Sequence, residues 1–164
     1  MTIFYGSLVN FRAFLTARSL TANDSDDDTK ANAALLVASE WLDARFGTMF
    51  PGRKIDGRSQ DREWPRSGAA DRRGYPIDSA TVPVEVEQAT YQVAIRQLNS
   101  PGSLAVDFTP SKYRRAAVSG AVSVEYNTIY SSAEVQTQIQ IVCDILANII
   151  DDDDDSMLSG VASR

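Results

Sequence analysis

The sequence contains no histidine and a single cysteine, Cys143. Without histidine, the chain has no histidine-ligated metal site, no Ser–His–Asp triad and no Cys–His dyad. One cysteine permits no disulfide within the chain, so folding requires no oxidising compartment. No apolar run approaches the roughly 20 residues that span a bilayer, and the first residues lack the basic and apolar segments of a signal peptide. These absences predict a soluble protein made in the cytoplasm.

The patterns of common active sites are also missing. The glycines from Gly52 to Gly57 fit neither nucleotide-binding motif. Acidic residues are present, but no spacing brings two of them together for acid–base catalysis. The acidic residues considered for such a pair are Glu40, Asp43, Asp78, Glu125 and Asp144. We therefore predict a non-enzymatic protein with no catalytic residue, no bound metal and no cofactor.

Length and charge set further limits. The chain has 164 residues, the size of one ordinary domain, and its apolar fraction of 43% lies just below the usual globular range. The formal net charge is −6, and five of the negative charges form one run at residues 151–155. The rest of the chain is nearly neutral, which disfavours strong electrostatic attraction to nucleic acid.

Apolar periodicity predicts four helices. The second has the clearest stripe, at Leu35, Ala38, Leu42 and Phe46, and Gly47 is placed to act as its C-cap. The predicted helices cover residues 7–18, 29–46, 82–99 and 132–150.

Capping residues support these helix starts. Ser7 or Asn10 can cap the first helix, and Pro83 suits the first turn of the third. Ser131 and Glu134 form a capping box at the start of the fourth.

Two segments lack a helical period. Residues 47–81 are rich in glycine, proline and arginine and are predicted to form a long irregular loop, which Trp64 and Tyr75 can anchor on the core. Residues 112–127 alternate around a Ser119-Gly120 turn, which predicts a β-hairpin. The predicted fold is mainly α: a small bundle of about four helices with a long irregular loop and a β-hairpin. It occupies residues 1–150, and residues 151–164 form an acidic C-terminal tail.

Several short motifs follow one another along residues 3–150. They are Tyr5-Gly6-Ser7, Ala38-Ser39-Glu40-Trp41-Leu42-Asp43, Gly57-Arg58, Trp64-Pro65-Arg66, Gly74-Tyr75-Pro76, Val82-Pro83 and Val122-Ser123-Val124-Glu125-Tyr126. In their order and spacing the chain resembles a family of phage and prophage proteins. Some members are labelled head–tail connector or adaptor proteins, and others DnaT-like single-stranded-DNA-binding proteins. The aspartate run and residues 157–164 fall outside the resemblance.

The resemblance implies a structural virion protein. Adaptors of this kind form a ring of twelve copies at the head–tail junction, dock on the portal and extend the DNA channel towards the tail. The expected partners are the portal, tail or neck proteins and other copies of the chain, and no membrane. Genomic DNA would pass through without specific binding, and the protein would be made in the host bacterial cytoplasm. Two alternatives remain: a single-stranded-DNA-binding replication accessory protein, and a tail-completion or neck protein one ring further down.

Arginine and aromatic residues are enriched at interfaces, so the basic loop and the tail provide the candidate partner contacts. These candidates are Arg53, Lys54, Arg58, Arg62, Trp64, Arg66, Arg72, Arg73, Tyr75, Asp151, Asp152, Asp153, Asp154, Asp155, Met157 and Leu158. Trp64 and Tyr75 can instead form a stacking platform for bases or pin the loop to the core. The aspartate run lacks the spaced ligands of a calcium loop, so a charged tail is favoured over a metal site.

Overall fold

A computed structural model describes residues 4–104, 116–118, 122–124 and 140–150 of the chain. Its elements confirm the mainly α prediction: four helices, a short two-stranded ladder inside the long loop and a two-stranded hairpin. The helices are α1 (Leu8–Ala17), α2 (Asp28–Phe46), α3 (Val84–Asn99) and α4 (Gln140–Leu146). The strands are β1 (Arg53–Lys54), β2 (Arg66–Ser67), β3 (Ala116–Val118) and β4 (Val122–Val124).

Side-chain caps fix the starts of α1 and α2. The Ser7 hydroxyl accepts a hydrogen bond from the Asn10 amide at 3.1 Å, so Ser7 is the N-cap of α1. Asp27 caps α2 by accepting from the amides of Thr29 and Lys30 at 2.9 and 3.2 Å. Each cap satisfies amides that the first helical turn leaves without a partner.

Helix α3 contacts each of the other three described helices and packs most extensively on α2. The predicted stripe of α2 is buried at Leu35, Ala38, Leu42 and Phe46, together with Ala31 and Ala34. The amide of Asn23, just before α2, donates to the Asn99 side chain at the end of α3. The two helices therefore run antiparallel.

The fourth helix joins the bundle, and the two described hairpin strands pair with each other. α4 packs on α3, and Val142 and Leu146 are buried in the common core. β3 and β4 pair antiparallel, with Ala116 opposite Val124 and Val118 opposite Val122. The predicted start of the last helix, its capping box and the flanks of the hairpin lie outside the described residues. No helix in the described part of the chain is long and apolar enough to cross a membrane.

One local prediction is confirmed and another needs correction. Gly47 is the C-cap of α2, as predicted, with a right-handed φ of −55°. A Cβ at that position would meet the Asp43 carbonyl and lie 2.9 Å from the Glu63 side chain, so crowding favours glycine. Pro83 stands one position earlier than predicted, as the N-cap of α3, because its ψ of 144° is extended.

The 47–81 loop has more regular structure than its composition predicts. β1 and β2 pair antiparallel, Arg53 with Ser67 and Lys54 with Arg66. A single 3-10 turn follows β1, and an isolated bridge joins Ala70 to Pro76. These backbone pairings order the loop from within.

Candidate functional site

Arg66 fastens the base of the 47–81 loop. Its guanidinium donates to the carbonyls of Pro51 and Gly52 at 2.8 and 2.9 Å and to the Glu63 carboxylate at 2.7 Å. Lys54 pairs with the other oxygen of Glu63 at 2.9 Å. Arg66 is only 8% exposed. The N–H donors of its guanidinium therefore make hydrogen bonds inside the protein.

Trp64 is fully buried and packs edge-on against Phe50. Its backbone amide donates to the Tyr5 hydroxyl at 3.1 Å, and that hydroxyl donates in turn to the Asp43 carboxylate. Arg62 completes the group through ion pairs with Asp43 at 3.3 Å and Glu40 at 3.5 Å. This network connects the N-terminal segment, α2 and the loop.

Burial changes the acidity of two members of this network. It raises the pKa of the Asp43 carboxyl above its ordinary value, and the hydrogen bonds from Tyr5 and Arg62 only partly offset this effect. Burial also raises the pKa of the Tyr5 hydroxyl, and the neighbouring Asp43 charge raises it further. Tyr5 therefore stays protonated and acts as a donor to Asp43.

Residues 71–75 form a tight turn at the outer edge of the loop, which we call the arginine turn. The Asp71 amide donates to the Tyr75 carbonyl at 2.9 Å, and the Gly74 amide donates to the Asp71 carbonyl at 2.9 Å. The Asp71 carboxylate also accepts from the amides of Arg73 and Tyr75 at 2.9 and 2.8 Å. Gly74 has a φ of +84°, which glycine adopts without strain.

The arginine turn is fixed to the end of α4. The amide of Arg72 donates to the Asn148 carbonyl at 2.8 Å, and its guanidinium approaches the Ala147 carbonyl at 3.4 Å. Just behind the turn, the Ile77 amide donates to the Ala69 carbonyl at 2.9 Å. The turn is thus held by the Ala69–Ile77 hydrogen bond and by the contact with Asn148. Arg72, Arg73 and Tyr75 are exposed on it.

The structure sorts the predicted contact residues into three groups. Lys54, Arg62, Trp64 and Arg66 are buried or half-buried and form internal contacts, so they shape the loop. Those exposed on the loop are Arg53, Arg58, Arg72, Arg73 and Tyr75. Those outside the described residues are Asp151, Asp152, Asp153, Asp154, Asp155, Met157 and Leu158.

Trp64 and Tyr75 do not form a shared stacking platform. Trp64 is 0% exposed and pins the loop to the core, whereas the Tyr75 side chain is 67% exposed on the arginine turn. Only Tyr75 is available to stack on a base.

The turn itself is not among the features predicted from the sequence. Its signal is an aspartate followed three residues later by a glycine, Asp71 and Gly74, a pattern typical of β-turns. The many other glycines and prolines of the loop obscured it. In the described part of the chain, no group of acidic or cysteine side chains is arranged to hold a metal ion.

One protein family matches nearly the whole chain. The sequence model described as "Putative DnaT-like ssDNA binding protein" aligns with residues 4–164. The chain belongs to this family. The match supports the DnaT-like side of the resemblance noted in the sequence, and it extends into the residues that follow the helical body.

No curated protein and no solved structure gives a significant match to the chain.

Proposed function

We propose that this protein binds single-stranded DNA through the arginine turn. The observation that carries the proposal is the exposure of Tyr75 beside Arg72 and Arg73 on a rigid frame. The family description names the same class of ligand. In this proposal Tyr75 stacks on a base, and the two arginines lie along the phosphate backbone.

Single-stranded DNA suits such a site better than duplex DNA. Unpaired bases expose a face that an aromatic ring can cover, and stacking contributes about 1–3 kcal/mol per base. The turn is already ordered by the Asp71 side chain, so binding costs little loss of backbone freedom. One turn covers only a few nucleotides, and we expect little sequence preference.

The net charge of −6 limits the affinity. Phosphates are repelled by the chain as a whole, so binding depends on the local cations of the turn and weakens steeply with salt. We expect weak binding that is strongest at low ionic strength.

The test is fluorescence anisotropy with a labelled oligothymidine at about 50 mM and about 200 mM salt. We expect Tyr75→Ala to weaken binding about tenfold at low salt, in line with the loss of one stacked base. The matched control is Tyr75→Phe, which retains the ring and should bind like the unaltered protein. Absence of binding by the unaltered protein at low salt would reject the proposal.

A second candidate is the head–tail adaptor ring that the resemblance implies. It is favoured by the internal use of the loop cations Lys54, Arg62 and Arg66, which leaves fewer charges for phosphate than the sequence suggests. The portal, neighbouring copies or a neck protein would then contact the exposed parts of the loop. Closure of a ring needs two different patches on each subunit.

The adaptor proposal is tested by mixing the protein with the assembled portal of its phage and weighing the complexes by mass photometry. A portal-dependent ring without DNA binding would support this candidate. A protein that ignores the portal and binds the oligonucleotide would support the first.

A further inference from the structure

We propose that the aspartate run at residues 151–155 docks on the arginine turn of its own chain and competes there with single-stranded DNA. This inference rests on the proposed function for its consequence, but the contact itself does not depend on it. Two observations carry it: the position where the chain leaves the body and the charges on the turn.

The first observation is where the helical body ends. The Arg72 amide bonds to the carbonyl of Asn148, and Asp151 follows Asn148 by three residues. An extended chain spans at most ~3.6 Å per residue, so the Cα of Asp151 lies within about 11 Å of that of Asn148. Ile149 and Ile150 are buried and fasten the chain at this point. The aspartates therefore start beside the turn.

The second observation is charge complementarity. Arg72 and Arg73 are adjacent and exposed, and five consecutive carboxylates are tethered next to them. Tethering gives a short acidic segment a millimolar effective concentration at the turn. A run of carboxylates also resembles a phosphate backbone in its closely spaced negative charges, so both ligands would engage the same guanidinium groups.

The contact is tested first without DNA, on the full chain, by recording amide resonances of residues 71–75. The variant carries Asp→Asn at all five positions from Asp151 to Asp155. We expect the Arg73, Gly74 and Tyr75 amides to shift in the variant, and added salt to move the unaltered protein towards the same positions. Unchanged amides would overturn the proposal. So would shifts that depend on protein concentration, because they would indicate the tail of a second copy.

The competition is tested by oligothymidine anisotropy at about 50 mM salt, where we expect the five-fold Asp→Asn variant to bind roughly tenfold more tightly. The control neutralises Asp24 and Asp26 in the turn before α2 and Asp28 at its first residue, all outside the 47–81 loop. Equal tightening in both variants would indicate general charge repulsion and overturn the competition.

The two proposals fail in different ways. If no variant binds DNA while the amide shifts occur, the proposed function fails and the tail contact stands. If the unaltered protein binds DNA and the five-fold variant shows neither effect, the tail proposal fails alone.

Discussion

The hydroxyl of Tyr5 accepts a hydrogen bond from the backbone amide of Trp64, which lies 59 residues further along the chain. The same hydroxyl donates to Asp43 on α2. A single side chain thus connects the N-terminal segment, α2 and the base of the 47–81 loop. This connection positions the loop that carries the arginine turn.

Tyr5→Phe removes this bridge while keeping the ring. The buried Trp64 amide and the Asp43 carboxylate each lose a partner, so we expect the free energy of unfolding to fall by about 1–3 kcal/mol. Urea denaturation followed by tryptophan fluorescence measures the change. The control is Tyr75→Phe, whose hydroxyl is on the surface and whose loss should cost at most about 0.5 kcal/mol. Equal stabilities for the two variants would contradict the role given to Tyr5.

The raised pKa of Asp43 predicts a pH dependence of stability. Its pKa in the folded state is above the ordinary 3.8 because of burial, so between the two values the folded protein binds more protons than the unfolded chain. This contribution to stability is fully present below the unfolded pKa and is lost as pH rises through the folded pKa. Relative to Asp43→Asn, the unaltered protein should lose stability as pH increases from about 3 upwards. Parallel urea titrations across this window check the prediction, and identical pH profiles for both proteins would refute it.

Gly6 lies against the ring of Tyr91. It has a φ of +76°, and an added Cβ would overlap the Tyr91 hydroxyl and lie 2.7 Å from the ring carbon that carries it. Gly6→Ala should therefore combine backbone strain of about 1–2 kcal/mol with a steric clash. Gly68→Ala is the control, since Gly68 has a φ of +67° and open space around it. Thermal melting should show the larger loss for Gly6→Ala, and similar losses would mean that Tyr91 moves aside freely.

Arg66 should not tolerate lysine. Its planar guanidinium contacts two backbone carbonyls and Glu63 together, and a lysine ammonium cannot reproduce that fork. We expect Arg66→Lys to lower the free energy of unfolding by about 1–3 kcal/mol. Arg58→Lys, at an exposed position of the same loop, should change it by at most about 0.5 kcal/mol. Urea denaturation of the pair gives the comparison, and equal values would show that the fork is dispensable.

Arg73 should govern the salt dependence of DNA binding. If its guanidinium neutralises one phosphate, Arg73→Gln should lower the magnitude of the slope of log K against log salt by about 0.7. Anisotropy titrations at several salt concentrations give the slope. Arg96→Gln, exposed near the far end of α3, should leave it unchanged. A slope unaffected by Arg73→Gln would place the phosphates elsewhere.

The helices follow from the sequence alone, because burial of one face imposes a regular spacing on the apolar residues. Leu35, Ala38 and Leu42 show this spacing, and all three are buried in α2. The pairing of β3 with β4 and the Ser7 cap follow as well, since both depend on residues close together in the chain. Such local signals require no knowledge of distant contacts.

Only the tertiary structure decided which residues of the 47–81 loop face the solvent. Arg66 and Arg72 carry the same side chain. Arg66 is buried and donates to the carbonyls of Pro51 and Gly52. Arg72 is exposed beside the end of α4. Trp64 and Tyr75 differ in the same respect. Trp64 is buried in the core, where its amide contacts Tyr5, whereas Tyr75 is exposed on the arginine turn. These outcomes depend on partners up to 76 residues away, as between Arg72 and Asn148. Composition and spacing carry no information about such partners, because long-range packing fixes them only after the helices have come together.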